Sequence, residues 1–297
     1  MKILVIGSTV CDVVIEVERL PKIGEDENIK HQSLHIGGCA FNVSRMLALF
    51  ESAYVLFTPV GQGVYGDFVR QYFKQEKIPI LLEPARSNGC CYCIVDQSGE
   101  RTFICEHGAE YFFKEEWFNR INAKDFQYVY ICGLEIEETS GDQIISFLEK
   151  NPHFTIFFAP GPRICKIEKA KMQRLLALHP ILHLNKSEIL AFSHQDNLEK
   201  AVEETYLLNQ NTTIVTLGAE GTYYKEDTES CFIPTKQVEP VDTIGAGDGH
   251  IGTVIACLSH SIPLKQAIQV ANKVSGKIVQ KKGATLTKEE FEELHLI

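Results

Sequence analysis

Short, mostly apolar runs alternate along the chain with longer stretches in which apolar residues recur every three or four positions. The runs are "KILVIG", "YVLFTPV", "YVYICG", "FTIFFAP", "PILHLN" and "TTIVTLG", and the stretches between them include "VYGDFVRQYFKQEK", "TSGDQIISFLEK" and "NLEKAVEETYLLNQ". A strand with no polar face must be covered on both sides, and amphipathic segments between successive strands supply the covers. The pattern therefore predicts an α/β fold: a doubly wound, mostly parallel sheet sandwiched by helices. The chain closes with helical "PLKQAIQVANKVSGKIVQKK" and a charged "TKEEFEEL".

Two stretches break this rhythm. Residues 13–36, "VVIEVERLPKIGEDENIKHQSLHI", and residues 89–107, "GCCYCIVDQSGERTFICEH", alternate apolar and polar positions as half-buried strands do, with "DQSGE" as a hairpin turn. They are expected to pair as a small β lid over one end of the sheet. No repeat, low-complexity tract or Pro/Ser-rich linker divides the chain, so residues 1–297 are expected to form one α/β domain.

Charge removes one class of partner. Lys+Arg number 29 against 39 Asp+Glu, a net charge of -10 with no dense basic stretch, so an extended phosphate backbone is repelled and no nucleic-acid partner is expected. The opening "MKILVIGSTVCD" is too briefly apolar for a secretion signal, and no window is long enough for a membrane span. Ten cysteines without regular spacing fit a reducing, cytoplasmic compartment in which thiols serve as small apolar side chains. Cys90, Cys91 and Cys93 in "NGCCYC" lack the second cluster that a zinc site needs. On a strand, Cys91 and Cys93 share one face and Cys90 takes the other.

Four glycine or strand-end motifs carry candidate chemistry. Gly61, Gly63 and Gly66 in "VGQGVYG" match G-x-G-x-x-G, with Glu83 further on. The dinucleotide fingerprint belongs on the first βαβ unit, however, and here the first strand ends in "GSTVCD". A tight strand-to-helix turn explains the same residues, and an NAD oxidoreductase is the reading they would otherwise favour.

The stretch "VDTIGAGDGHIG", residues 241–252, is more informative, because Ile251, Val254, Ile255 and Leu258 fall at helical spacing and place Gly245 to Gly247 in a first helical turn. Amides there lack intrahelical partners and bare glycine lets an anion approach. Asp248 would repel a phosphate held statically but suits a base that deprotonates an attacking hydroxyl; an acid stabilised by the helix dipole is the plain alternative. In "LNKSE", Asn185 and Glu188 at a strand end suit a hydrated magnesium ion on phosphates, or equally an N-cap with its capping-box glutamate. In "TLGAEG", Thr216, Gly218 and Gly221 leave room for a nucleotide, or make a hairpin turn.

Together with an early "GGCAFN", these motifs resemble, in the same order and over nearly the whole chain, the ribokinase-like (PfkB) family of carbohydrate and nucleoside kinases; "DTIGAGD" is the most specific of them. The resemblance implies an ATP- and Mg2+-dependent kinase acting on a hydroxymethyl group of a small sugar or sugar-like molecule, with a pseudouridine- or adenosine-type nucleoside kinase as the alternative. It implies that Asp248 is the catalytic base and that the amides of Gly245, Ala246 and Gly247 stabilise the transferring phosphoryl group. Asn185 and Glu188 match its Mg-phosphate motif, with Glu188 acting toward the metal. Thr216, Gly218 and Gly221 would flank the nucleotide and Asn272 would lie near adenine. Asp12, Gly37, Gly38 and Asn42 match substrate-hydroxyl positions, and Glu135 stands where a sugar-contacting glutamate occurs.

The two β segments correspond to the family's substrate lid, with Cys91, Cys93 and Val95 on its inner face. A nucleoside would need an aromatic platform, for which Phe41, Tyr92 and Phe103 are the candidates, although aromatic rings on apolar faces more often serve packing. A monovalent cation and a homodimer through the lid are left open. Two departures, "DGHIG" after the catalytic position and Ala159 in "FAPGPR" where many relatives carry aspartate, leave the substrate open as well. A non-catalytic sugar sensor is disfavoured by the retention of Asp248 beside an intact anion cradle.

Overall fold

A computed structural model of the chain describes residues 2–227 and 229–296; residues 1, 228 and 297 of the expected single domain lie outside it. In chain order the strands are β1 (Lys2–Ile6), β2 (Val10–Glu16), β3 (His31–Gly37), β4 (Tyr54–Phe57), β5 (Cys90–Val95), β6 (Arg101–Glu106), β7 (Phe126–Cys132), β8 (Thr155–Ala159), β9 (Ile181–Asn185), β10 (Thr213–Thr216), β11 (Gly221–Glu226) and β12 (Glu229–Pro234). The six apolar runs form β1, β4, β7, β8, β9 and β10, which lie parallel in one sheet of order β12-β11-β10-β9-β8-β7-β1-β4.

Alternation along a strand explains the two cores. Ile3 and Val5 of β1 join the cluster formed with helices Cys39–Leu49, Ala246–Ser259 and Leu264–Ile278, whereas Leu4 and Ile6 join the one formed with Gly141–Glu149, Lys169–Leu176 and Leu198–Asn209. Both faces are thereby covered, which is why these strands carry no polar side.

The antiparallel hairpin β11–β12 at the edge of this sheet was not anticipated from the sequence. Its alternation is masked because Lys225 is buried, reaching Glu203 at 3.0 Å and lying 4.7 Å from the centre of the Tyr206 ring. A lysine whose stem is covered while its charge is paired reads as polar in a sequence although it packs inward.

The two alternating stretches build a separate sheet of order β3-β2-β5-β6, whose first strand begins at Val10, earlier than the expected residue 13. Cys11, Val13 and Cys90 on one face pack against Tyr65 and Phe68 of helix Gly63–Gln75. Register places Asp12, Cys91 and Cys105 in one row of the opposite face, with Cys93, Phe103, Val95 and Arg101 in the rows beyond. That face looks toward the 241–252 segment, because Arg101 is ion-paired with Asp242. Gly61, Gly63 and Gly66 make the turn into helix Gly63–Gln75; a Cβ on Gly66 would sit 2.3 Å from the carbonyl oxygen of Gly61, so close backbone packing accounts for the motif.

Among the described helices none is long and apolar enough to cross a membrane.

Candidate active site

The glycine turn is shaped by contacts that exclude side chains. Gly245 caps helix Ala246–Ser259 at φ 75°, and a Cβ there would meet the Ala284 carbonyl oxygen at 2.3 Å. A Cβ on Gly247 would meet nothing within 4 Å, so its backbone borders open space. Of the three cradle amides expected from the sequence, that of Ala246 turns back to the Thr243 carbonyl at 3.3 Å, which leaves the first-turn amides after it as the freer donors.

Asp242 braces the turn by accepting hydrogen bonds from the N–H groups of Ile244 (2.9 Å) and Gly283 (3.1 Å) and from Arg101. Burial works against its ionisation, but Arg101 and these N–H groups outweigh it and hold the carboxyl below the usual range.

Asp248 lies in the first turn of the same helix, and its Oδ2 accepts a hydrogen bond from Asn42 Nδ2 at 2.8 Å. Burial pushes its carboxyl up to about 6, against the lowering effect of hydrogen bonds from Asn42 and Cys39. Asn42 sits in helix Cys39–Leu49, entered through Gly38 at φ 99°, where a Cβ would lie 2.6 Å from the Ser8 carbonyl oxygen. Its Oδ1 is buried without a hydrogen-bond partner among the described residues, an acceptor suited to a hydroxyl.

Asp12 faces the same space. A Cβ on Gly37 would fall 1.9 Å from its Oδ2, so only glycine leaves room for this carboxylate. Burial, followed by the charges of Cys105 and Asp248, pushes Asp12 up to about 7. Two carboxyls with raised pKa values thus lie near enough for one to shift the other, an arrangement typical of functional sites.

Glu135 is buried near Asp248. It is 1% exposed, and its two oxygens accept hydrogen bonds from the Ser8 N–H and the Cys132 thiol, each at 2.7 Å. The aromatic candidates for a nucleoside platform separate clearly. Phe41 is 2% exposed between Tyr72 and Phe73, and the Tyr92 hydroxyl is bonded to that of Tyr65 at 2.9 Å on the face turned away from Asp12. Of the two roles open to them, both rings therefore take packing, as helix and strand periodicity assign them. Phe103, 52% exposed on the Asp12 face, is the one still available.

On the other side of the glycine turn lies a cavity of about 300 Å3 lined by Thr216, Gly218, Gly221, Ala246, Gly247 and Asn272, among others. A second recess over Asn185 and Lys186 shares Thr216 and Gly218 with it, since Thr216 and Asn185 are register partners on adjacent strands. Asn185 and Glu188 form a capping box: Asn185 Oδ1 accepts from the Glu188 N–H (2.9 Å) and Glu188 Oε2 from the Asn185 N–H (2.8 Å). Asn272 is pinned at the cavity wall, accepting from the Thr222 hydroxyl at 2.7 Å and donating to the Ile233 carbonyl at 3.2 Å.

His250, whose role the sequence did not suggest, completes that wall. It lies 2.9 Å from His183 and 3.1 Å from the Thr222 hydroxyl, and burial pushes it down to about 4, so it is neutral. Its only signal was the unusual "DGHIG". Asp242 opens the quoted "DTIGAGD", but its partnership with Arg101 had no signal, because their meeting depends on how the small sheet lies over the large one.

A family model described as pfkB family carbohydrate kinase matches residues 1–290. The chain is 32% identical over 298 residues to the uncharacterized sugar kinase YegV of Escherichia coli K12, covering 97% of this chain and 92% of the relative. Among solved structures, the ribokinase of Thermotoga maritima superposes with a TM-score of 0.84 at 24% identity, covering 99% of both chains. The fructokinase of Xylella fastidiosa with bound ATP superposes with a TM-score of 0.82 at 17% identity, covering 99% of this chain and 97% of that one.

Proposed function

Because the chain belongs to the pfkB family of carbohydrate kinases and so is a phosphotransferase with an alcohol acceptor, we propose that it transfers the γ-phosphoryl of ATP to a hydroxymethyl group of a small sugar or sugar-like substrate. The carrying observation is the hydrogen bond between Asn42 and Asp248 at the bare glycine turn, with Asp12 facing them. The sugar lies between Asp12 and Asp248 and the nucleotide in the cavity on the far side of the turn. The acceptor oxygen meets the γ-phosphorus at the glycine turn between them.

In this reading Asp248 accepts the hydroxyl proton as the oxygen attacks, the bond to the β-phosphate oxygen breaks, and ADP leaves. Charge on the transferring group is met by the free amides of the first helical turn and by the positive end of the helix. The lid formed by β2, β3, β5 and β6 closes over the sugar and excludes water that would otherwise take the phosphoryl group.

Magnesium bound with the nucleotide would neutralise phosphate charge. The residues fit a hydrated ion of that kind: Asn185 lines the second recess and holds the Glu188 carboxylate through two hydrogen bonds, so one carboxylate stands next to it. Among the described residues no group of three or more His, Cys, Asp or Glu side chains forms a cage, and an ion carried by phosphates and waters requires none. Glu188→Gln should raise the magnesium concentration needed for half-maximal rate while leaving the sugar KM in place. An unchanged magnesium titration would reduce the pair to its capping role.

A nucleoside acceptor is the second reading, favoured by Phe103 alone. Measuring ATP consumption over ketoses, aldoses, deoxy-keto acids and nucleosides, with the phosphorylated position assigned by NMR, separates the two. Turnover confined to nucleosides would replace the sugar reading, and turnover with no acceptor would remove both.

A further inference from the structure

We propose that Cys91 and Cys105 form a redox-active dithiol on the substrate-facing side of the lid, which a low-molecular-weight disulfide oxidises to an intramolecular disulfide, altering sugar binding through Asp12. Cys91 of β5 stands directly opposite Cys105 of β6, and the two sulfur atoms are 3.2 Å apart. Residues opposite one another in an antiparallel pair have Cα atoms about 4.5–5.5 Å apart, inside the range disulfides span, so only the side chains need move to close the bond. Both thiols are free, and Cys105 is exposed to a reagent while Cys91 is half-buried behind it. That is the arrangement of an attacking and a resolving cysteine.

The surroundings favour attack by Cys105. The hydrogen bond with Cys91, then the nearby His107 and Arg163, pull its thiol down to about 6 against the opposing effect of burial, which favours the reactive thiolate form. Its thiolate displaces one thiolate from the small disulfide, giving a mixed disulfide. Cys91 loses its proton and attacks the Cys105 sulfur, releasing the second thiolate. The two cysteines give up two electrons and the reagent is reduced to two thiols, so the exchange balances without another reactant.

Asp12 is the register neighbour of Cys91 in the same row. Among the groups around it, Asp248 is untouched by the exchange, His35 is bonded to Ser33, and Cys105 is the one that loses its charge. Asp12 then ionises more readily and becomes the better acceptor for sugar hydroxyls. This coupling rests on the proposed placement of the sugar at Asp12; the disulfide itself does not.

The test treats the reduced full-length protein with oxidised glutathione. Two of the ten thiols should disappear, peptide mapping should join Cys91 to Cys105, and dithiothreitol should reverse the link. At pH 7 the oxidised enzyme should show a sugar KM lower by about twofold, with the ATP KM unchanged, as follows from removing one anionic neighbour of a half-ionised acid. Cys105→Ser should show neither the link nor the shift. A link mapped to other cysteines, or a glutathione adduct on Cys105 that Cys91 never resolves, overturns the dithiol while leaving the kinase reading intact. A disulfide that leaves the sugar KM unchanged overturns the coupling. If Asp12→Ala also leaves that KM unchanged, the placement of the sugar falls with it.

Discussion

Asp248→Asn is expected to lower kcat by about two to four orders of magnitude, the range that removal of a general base commonly gives. The substitution keeps shape, and an asparagine oxygen still accepts the Asn42 hydrogen bond, so the helix entry and the nucleotide cavity should survive and ATP affinity should hold. Stability separates chemistry from misfolding. The folded carboxyl titrates near 6 against a reference of 3.8, so its contribution to stability is full below 3.8 and is lost as pH rises through 6. At pH 8 the Asn variant should therefore melt no lower than the parent.

The same two carboxyls predict the acid limb of the parent enzyme. With Asp12 titrating near 7 and Asp248 near 6, log kcat/KM for the sugar should fall as pH drops, its slope approaching two below about pH 6 as both groups protonate. Near-normal turnover in Asp248→Asn, or a flat profile between pH 5 and 8, would remove the base assignment.

Asp12→Ala should weaken sugar binding by about a hundredfold or more while sparing ATP affinity, since hydrogen bonds to a charged group contribute roughly 1.5–3 kcal/mol each and one carboxylate accepts two hydroxyls. The variant lies on the lid strand that packs on helix Gly63–Gln75 through its opposite face, so Cys11 and Val13 still anchor it. Hydrogen exchange tests whether the lid moves. Protection in residues 10–37 and 89–107 should rise when the true sugar binds the parent, and this rise should vanish in the variant at the same sugar concentration. Equal protection with and without sugar would mean a static sheet, and an unchanged sugar KM would take Asp12 out of the site.

The layered fold was legible because its information is local: an apolar run with no polar face can be satisfied only between two covers, and six such runs became six parallel strands. The motifs were legible for a related reason. A glycine turn opening a helix, and an Asn–Glu pair three residues apart, are defined within a few residues, and both formed where spacing placed them. For the Asn185–Glu188 pair the sequence also contained the capping-box alternative, and that hydrogen-bond pattern is the one observed.

What the tertiary structure decided are meetings between distant residues. Asn42 and Asp248 are 206 positions apart, and Arg101 and Asp242 are 141 apart; neither pairing has a local signature. Burial was likewise undetermined by residue type: Phe41 became core, Glu135 was sealed behind Ser8, and Lys225 turned inward. Chain-local patterns specify which element forms and which of its faces is apolar. Strand register and the lie of one sheet over another follow from packing the whole chain, and they alone place Asp12, Cys91 and Cys105 in one row facing the 241–252 segment.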